Sequence, residues 1–169
     1  MKKVYGIVLV IVLLFTLSEC STTSTQEEEQ YTEATLGNDK VTIDPVAMET
    51  DLLALVNQHR SDIGLNALEN STVSYKYAEE HNDYMISKNS LSHDNFENRA
   101  TKIAEVTNAV SISENVARYY TTAEKTLEGW LNSSSHKAAM EGDFTHTTLS
   151  VELDKEGRPY FTQIFMKVE

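Results

Sequence analysis

Five histidines, His59, His81, His93, His136 and His146, are the residues of this chain best suited to chemistry near neutral pH. An imidazole can take or give a proton there, or bind a metal through one nitrogen. His93 stands in the stretch Ser90-Leu91-Ser92-His93-Asp94-Asn95-Phe96-Glu97-Asn98-Arg99, where carboxylates, amides and a guanidinium crowd around it. Residue types alone leave two readings for it: a member of a working polar site, or a cap on an ordinary loop. Ser134 and Lys137 have the S-x-x-K spacing of some acyl-enzymes, but no K-T-G partner exists. No H-E-x-x-H, G-x-S-x-G or glycine-rich phosphate loop is present.

The elements that must hold these groups can be read from periodicity. Asp44-Pro45 predicts a helix start, with the aspartate as cap and the proline in the first turn. Leu52, Leu55, Val56 and His59 follow at helical spacing, and Gly64 can end the element. A second helix is expected over about residues 71–88, with a buried stripe of Val73, Tyr77, Ala78, His81 and Met85. Thr121 and Glu124 have capping-box spacing ahead of Ala123, Leu127, Trp130 and Leu131, which marks a third helix. His59 and His81 thus fall on packed stripes, as satisfied and partly buried groups. His93, His136 and His146 flank elements, where a rigid scaffold tends to display functional groups.

The last 20 residues change period. Leu149, Val151 and Leu153 alternate with Thr148, Ser150 and Glu152, a strand with one polar face. Turn residues 154–159 lead into Tyr160–Val168, apolar on both faces, so an antiparallel hairpin is expected. A strand buried on both sides needs helices over each face, which predicts a small α+β sandwich.

The N-terminal region reads differently. Met1-Lys2-Lys3 precedes an apolar run from Val4 to Leu17, too short to span a bilayer and suited to a secretory signal. Cys20, the only cysteine, follows directly, in the arrangement of a bacterial lipoprotein signal in which that residue takes the lipid. Glu19 stands where a small residue usually precedes such a cysteine. On this reading, residues 1–19 are the signal peptide. Residues 20–45, rich in Ser, Thr and Glu, form a flexible acidic tether, and 46–169 form one domain without disulfides. The chain would be exported and lipid-anchored to the envelope, and Ser21 is compatible with the outer membrane of a Gram-negative cell. A lipidated Cys20 also removes the only thiol nucleophile. Without residues 1–19 the chain holds 12 basic against 25 acidic residues, a balance that argues against nucleic acid as a partner.

Six segments in order resemble the CAP superfamily of cysteine-rich secretory, antigen 5 and pathogenesis-related 1 proteins. They are Leu52–Arg60 with Gly64-Leu65, then Ala78/His81/Met85 running to Leu91-Ser92-His93-Asp94, then Ser113-Glu114-Asn115-Val116-Ala117. Trp130-Leu131-Asn132-Ser133 with His136, Phe144-Thr145-His146 and Tyr160-Phe161-Thr162-Gln163-Ile164-Phe165 complete the set. The resemblance implies a three-layer α-β-α sandwich with a small antiparallel sheet and a cleft lined by His93, Glu114 and His146, with His136 nearby. In animal and plant members a second acid follows the tryptophan; here Leu131, Asn132 and Ser133 do, so a four-residue site on that pattern is incomplete.

Two functions could use such a cleft. One is a non-catalytic, envelope-tethered module that binds a lipid, glycan or protein. The other is a metal-assisted peptidase or cell-wall hydrolase, with His93 and His146 on zinc or another divalent ion and Glu114 as general base. Asp94 and Arg99 are expected to be local structure, a turn and a surface pair. Asn57, Arg60, Asn115 and Gln163 are expected to bond backbone across the layers.

Overall fold

Asp44 opens the first helix as its sequence predicts. In a computed structural model that describes residues 33–35 and 42–169, its carboxylate accepts from the Val46 and Ala47 amides. The helix, α1, runs Pro45–Asp62, and Gly64 follows it at φ +81°, a conformation open to glycine. Four further helices follow: α2 Tyr75–Lys88, α3 Phe96–Thr107, α4 Ala123–Asn132 and α5 Ser134–Met140. The strands are β1 Glu69–Asn70, β2 Ala109–Arg118, β3 His146–Leu153 and β4 Pro159–Val168.

The sheet has the order β1-β3-β4-β2. Strands β3, β4 and β2 are antiparallel, while the two residues of β1 pair in parallel with His146 and Thr147, making the sheet mixed. Alternation along β4 divides the core. Phe161 and Phe165 pack with Met48, Leu52 and Val56 of α1 and Trp130 of α4. Ile164 and Met166 pack on the opposite face with Tyr77 and Ala78 of α2 and Ile103 of α3. Helices on both faces make the expected three-layer α-β-α sandwich.

Polar residues bind the layers at fixed points. The buried Arg60 guanidinium donates to the carbonyls of Asn66, Met140, Gly142 and Phe144, at 2.6–3.3 Å. Asn57 bonds both backbone groups of Leu68, and Trp130 Nε1 donates to Val116 O at 3.2 Å. Thr148 and Ser150, expected on a polar outer face, are fully buried beneath α2, where Asn82 donates to Ser150 O. The outer edge of β3 is closed at Val151, whose amide donates to Glu49 of α1 at 2.8 Å.

Three expectations shift. Helix α2 starts at Tyr75, so Val73 lies in the preceding turn and is 56% exposed rather than packed. The α4 cap is Thr122, which accepts from Lys125 N, one residue beyond the Thr121 position. Helix α3 and strand β2 had no counterpart in the periodicity reading; each places a charged residue, Arg99 or Glu114, at a buried position.

Replacing Arg60 with Met would strand buried carbonyls, each costing roughly 1–3 kcal/mol when unsatisfied. Arg60→Met should therefore lower the urea midpoint by the equivalent of about 2 kcal/mol or more without a change in slope.

Candidate functional site

Strand β2 carries Glu114 on the face that looks toward α2 and α3, and its side chain is only 1% exposed. A bare carboxylate there would be costly. Arg99, one turn into α3, meets it with a two-point contact: Nε to Oε2 and Nη2 to Oε1, both 2.7 Å. Its Nη1 donates to Asp94 O, tying the same guanidinium to the loop before the helix. His93, from that loop, lies with Nδ1 2.9 Å from Glu114 Oε1. His81 of α2 sits 3.7 Å from the same oxygen and donates through Nε2 to Ser92 O at 2.7 Å.

The charges follow from this geometry. Burial pushes the Glu114 carboxyl upward, but hydrogen bonds from His93 and Arg99 and the positive charge of Arg99 outweigh it, so its pKa is lowered. An ionised Glu114 makes His93 Nδ1 the donor. His81 is held below its ordinary 6.5 chiefly by burial, and the charge of Arg99 adds to that; Glu114 opposes both. Arg99 is thus no surface pair. It is the buried counter-ion of the site, and its position opposite a buried acid is the physical reason.

His93 is 50% exposed and lines a cavity of about 230 Å³ with Phe96, Ile112, Ser113 and Glu114. Its ring stacks at 6.4 Å, 29° from parallel, on His136. His136 belongs to α5, where Nδ1 meets Ser133 Oγ at 2.7 Å and its carbonyl accepts from Asn115. Two imidazoles from opposite layers therefore meet beside the β2 edge. Arg99 and His81 also border a second cavity, about 250 Å³, with Tyr77, Tyr84 and Asp94.

His146 is not brought to this cluster. It opens β3, opposite Met166 of β4, which in turn opposes Ile112 of β2. A whole strand stands between, placing its backbone about 9–10 Å from that of β2. Its own partners are Thr145 Oγ1 at 2.8 Å and Glu69 Oε2 at 3.6 Å. The histidine that does meet His93 is His136, buried behind it. His59 pairs with Glu141 at 2.9 Å, and Lys137 leans toward Glu141 at 3.9 Å, far from any acyl-enzyme role. Cys20 and most of the expected tether lie outside the described residues.

These donors do not fit zinc or another divalent ion. Both oxygens of Glu114 are already committed to a guanidinium, itself a cation in the position a metal would need. Among the described residues no three His, Cys, Asp or Glu side chains converge on one point.

The cysteine-rich secretory protein (CAP) family profile matches residues 53–165. The chain belongs to the CAP family. Its fold is similar to that of an outer surface protein of Borrelia burgdorferi, with a TM-score of 0.68 and 21% identity, covering 78% of this chain and all of that one. It is also similar to an extracellular SCP-domain protein of Bacillus anthracis, with a TM-score of 0.63 and 24% identity over 79% of this chain and 45% of the other. In sequence it is 32% identical over 123 residues to the uncharacterized membrane protein YlbC of Bacillus subtilis, and spans about a third (34%) of that protein's length and 70% of its own. These relatives are named as extracellular, outer-surface or membrane proteins.

Two groups of the CAP site, Arg99 and His81, were not legible as site residues. The available signal was Arg99 itself, three residues after Phe96 and four before Ile103, on the face of an apolar stripe where a cation requires an acid.

The site sets the acid limb of stability. Below pH 6.5 the unfolded chain protonates His81, which the folded chain keeps neutral, so stability falls as pH drops through that value. Below 4.5 the unfolded chain protonates Glu114 while the folded carboxylate stays charged, and a second loss follows down to the folded pKa. Urea midpoints measured from pH 8 to 3 should show both stages; His81→Gln should flatten the first, and Glu114→Gln the second.

Proposed function

We propose that this protein is an exported, envelope-tethered binding module that holds a ligand against His93 without transforming it. The observation that carries this reading is the occupation of Glu114. A general base needs a pKa near the working pH and free access to the proton it removes. Glu114 has a lowered pKa, and both of its oxygens are taken by Arg99. It can instead fix the ring of His93, so that the exposed Nε2 edge faces an incoming group at a set angle. The metal-assisted hydrolase reading loses its base and its ligand set together.

The cavity limits the ligand. At about 230 Å³ it is smaller than the roughly 300–1,000 Å³ typical of pockets for drug-sized molecules, so it suits one polar headgroup, sugar or side chain of a larger envelope component. Phe96 and Ile112 supply apolar contact beside the His93 imidazole. Tethering rests on the Lys2-Lys3 start, the apolar run and Cys20. No helix among the described residues is long and apolar enough to cross a membrane. The surface or membrane naming of similar proteins points the same way.

Titration of the labelled protein with envelope lipid vesicles and with peptidoglycan fragments should shift the His93 ring signals with one of the two. His93→Ala should weaken that binding at least tenfold while leaving the fold intact. Turnover of peptide or glycan substrates that disappears in Glu114→Gln would overturn the reading. For the anchor, labelled palmitate should enter the wild-type chain in cells, and Cys20→Ser should abolish the incorporation.

A further inference from the structure

Strand β2 is an edge strand, and its outer side is not bare. Val116 O accepts from Trp130 Nε1, and the next outward carbonyl, Arg118 O, accepts from the backbone amide of Ala34 at 3.2 Å. Glu33 pairs in parallel with Arg118, and its Oε2 lies 2.5 Å from Arg118 Nη2. Ala34 packs against the small apolar cluster formed by Met85, Val116, Tyr119 and Tyr160. A backbone hydrogen bond, an ion pair and an apolar contact therefore converge on Glu33 and Ala34.

The receiving side is built in advance. Arg118 Nη1 donates to Asn89 O at 3.0 Å, and its guanidinium lies 4.7 Å from the Tyr119 ring centroid. Arg158 lies 4.8 Å from the same ring centroid. Tyr119 holds φ +71°, a left-handed conformation that is strained for a bulky side chain. Its hydroxyl and that of Tyr160 both donate to Asn89 Oδ1. Among the described residues Arg118 Nε is buried without a hydrogen-bond partner, and the carboxylate paired with this guanidinium is that of Glu33.

We propose that the outer edge of β2 at Arg118 is an interaction surface for an extended acidic segment, and that the chain's own Glu33–Ala34 is its occupant. The domain is then docked on its tether instead of hanging from the end of it. The consequence for the cell rests on the lipid-anchor reading; the docking does not. From Cys20 to Glu33 the chain can reach about 43–47 Å at full extension, against about 79–86 Å from Cys20 to Asp44. Docking roughly halves the range. It also fixes which end of the sandwich is proximal, because Glu114 is four residues, about 13 Å, along the same strand from Arg118.

The test is amide hydrogen exchange at Ala34, followed by NMR on the full chain in detergent micelles. The wild-type amide should exchange at least tenfold more slowly than in an unstructured peptide of the same sequence. In Glu33→Ala that protection should fall by threefold or more, with the melting temperature of the domain unchanged because the residue lies outside the core. A wild-type Ala34 amide exchanging at the peptide rate overturns the docking. Protection unchanged in Glu33→Ala overturns the role given to the glutamate. Neither readout involves a cleft ligand or a lipid, so failure of the binding-module reading would leave this result standing, and the reverse.

Discussion

The buried Arg99–Glu114 contact is the constraint around which the rest of the site is arranged. A carboxylate that is 1% exposed is tolerable only with a cation in firm contact. Arg99 can supply it only if α3 begins where it does, directly after the His93–Asn95 loop. The loop is then held twice, by Arg99 on Asp94 O and by Glu114 on His93. His81 closes the third side through Ser92 O. One ion pair thus joins α2, the loop, α3 and β2, and the exposed His93 edge inherits its position from it.

The same contact bears on two chemistries that residue types leave open. Histidines around a glutamate describe a metal site equally well until the glutamate is found already neutralised. A positive group bonded to both oxygens converts a prospective base into a fixed acceptor. The cleft that results presents an oriented His93 edge, with His136 from the opposite face of the sheet stacked behind it.

Much of the fold was legible because strong local signals coincide with elements: the Asp44-Pro45 cap, the Tyr77/Ala78/His81/Met85 stripe, and the alternation through Leu149 and Val151. Helix α3 and strand β2 were not, and for a physical reason. Their inward positions are filled by Arg99 and Glu114, so the two residues that pair with one another erase the apolar periodicity of both elements. The placement of His146 failed through register. Its position at a strand start is right, but only the strand order shows β4 standing between it and the cleft. His136 was visible as a nearby histidine; that α5 turns it onto His93 depends on Ser133 and Asn115, which touch its ring and its carbonyl.

Glu49 has a consequence beyond the stability of one molecule. An uncovered strand edge is a template on which another copy can pair. Under the proposed anchoring, copies would meet in two dimensions at high local density, where lateral strand pairing is easier than in free solution. By taking the Val151 amide, a single helix carboxylate interrupts the β3 edge where such pairing would propagate. At the opposite edge, Trp130 and Ala34 take two outward carbonyls of β2, those of Val116 and Arg118. Each border of the sheet thus has backbone groups already taken by the protein's own residues.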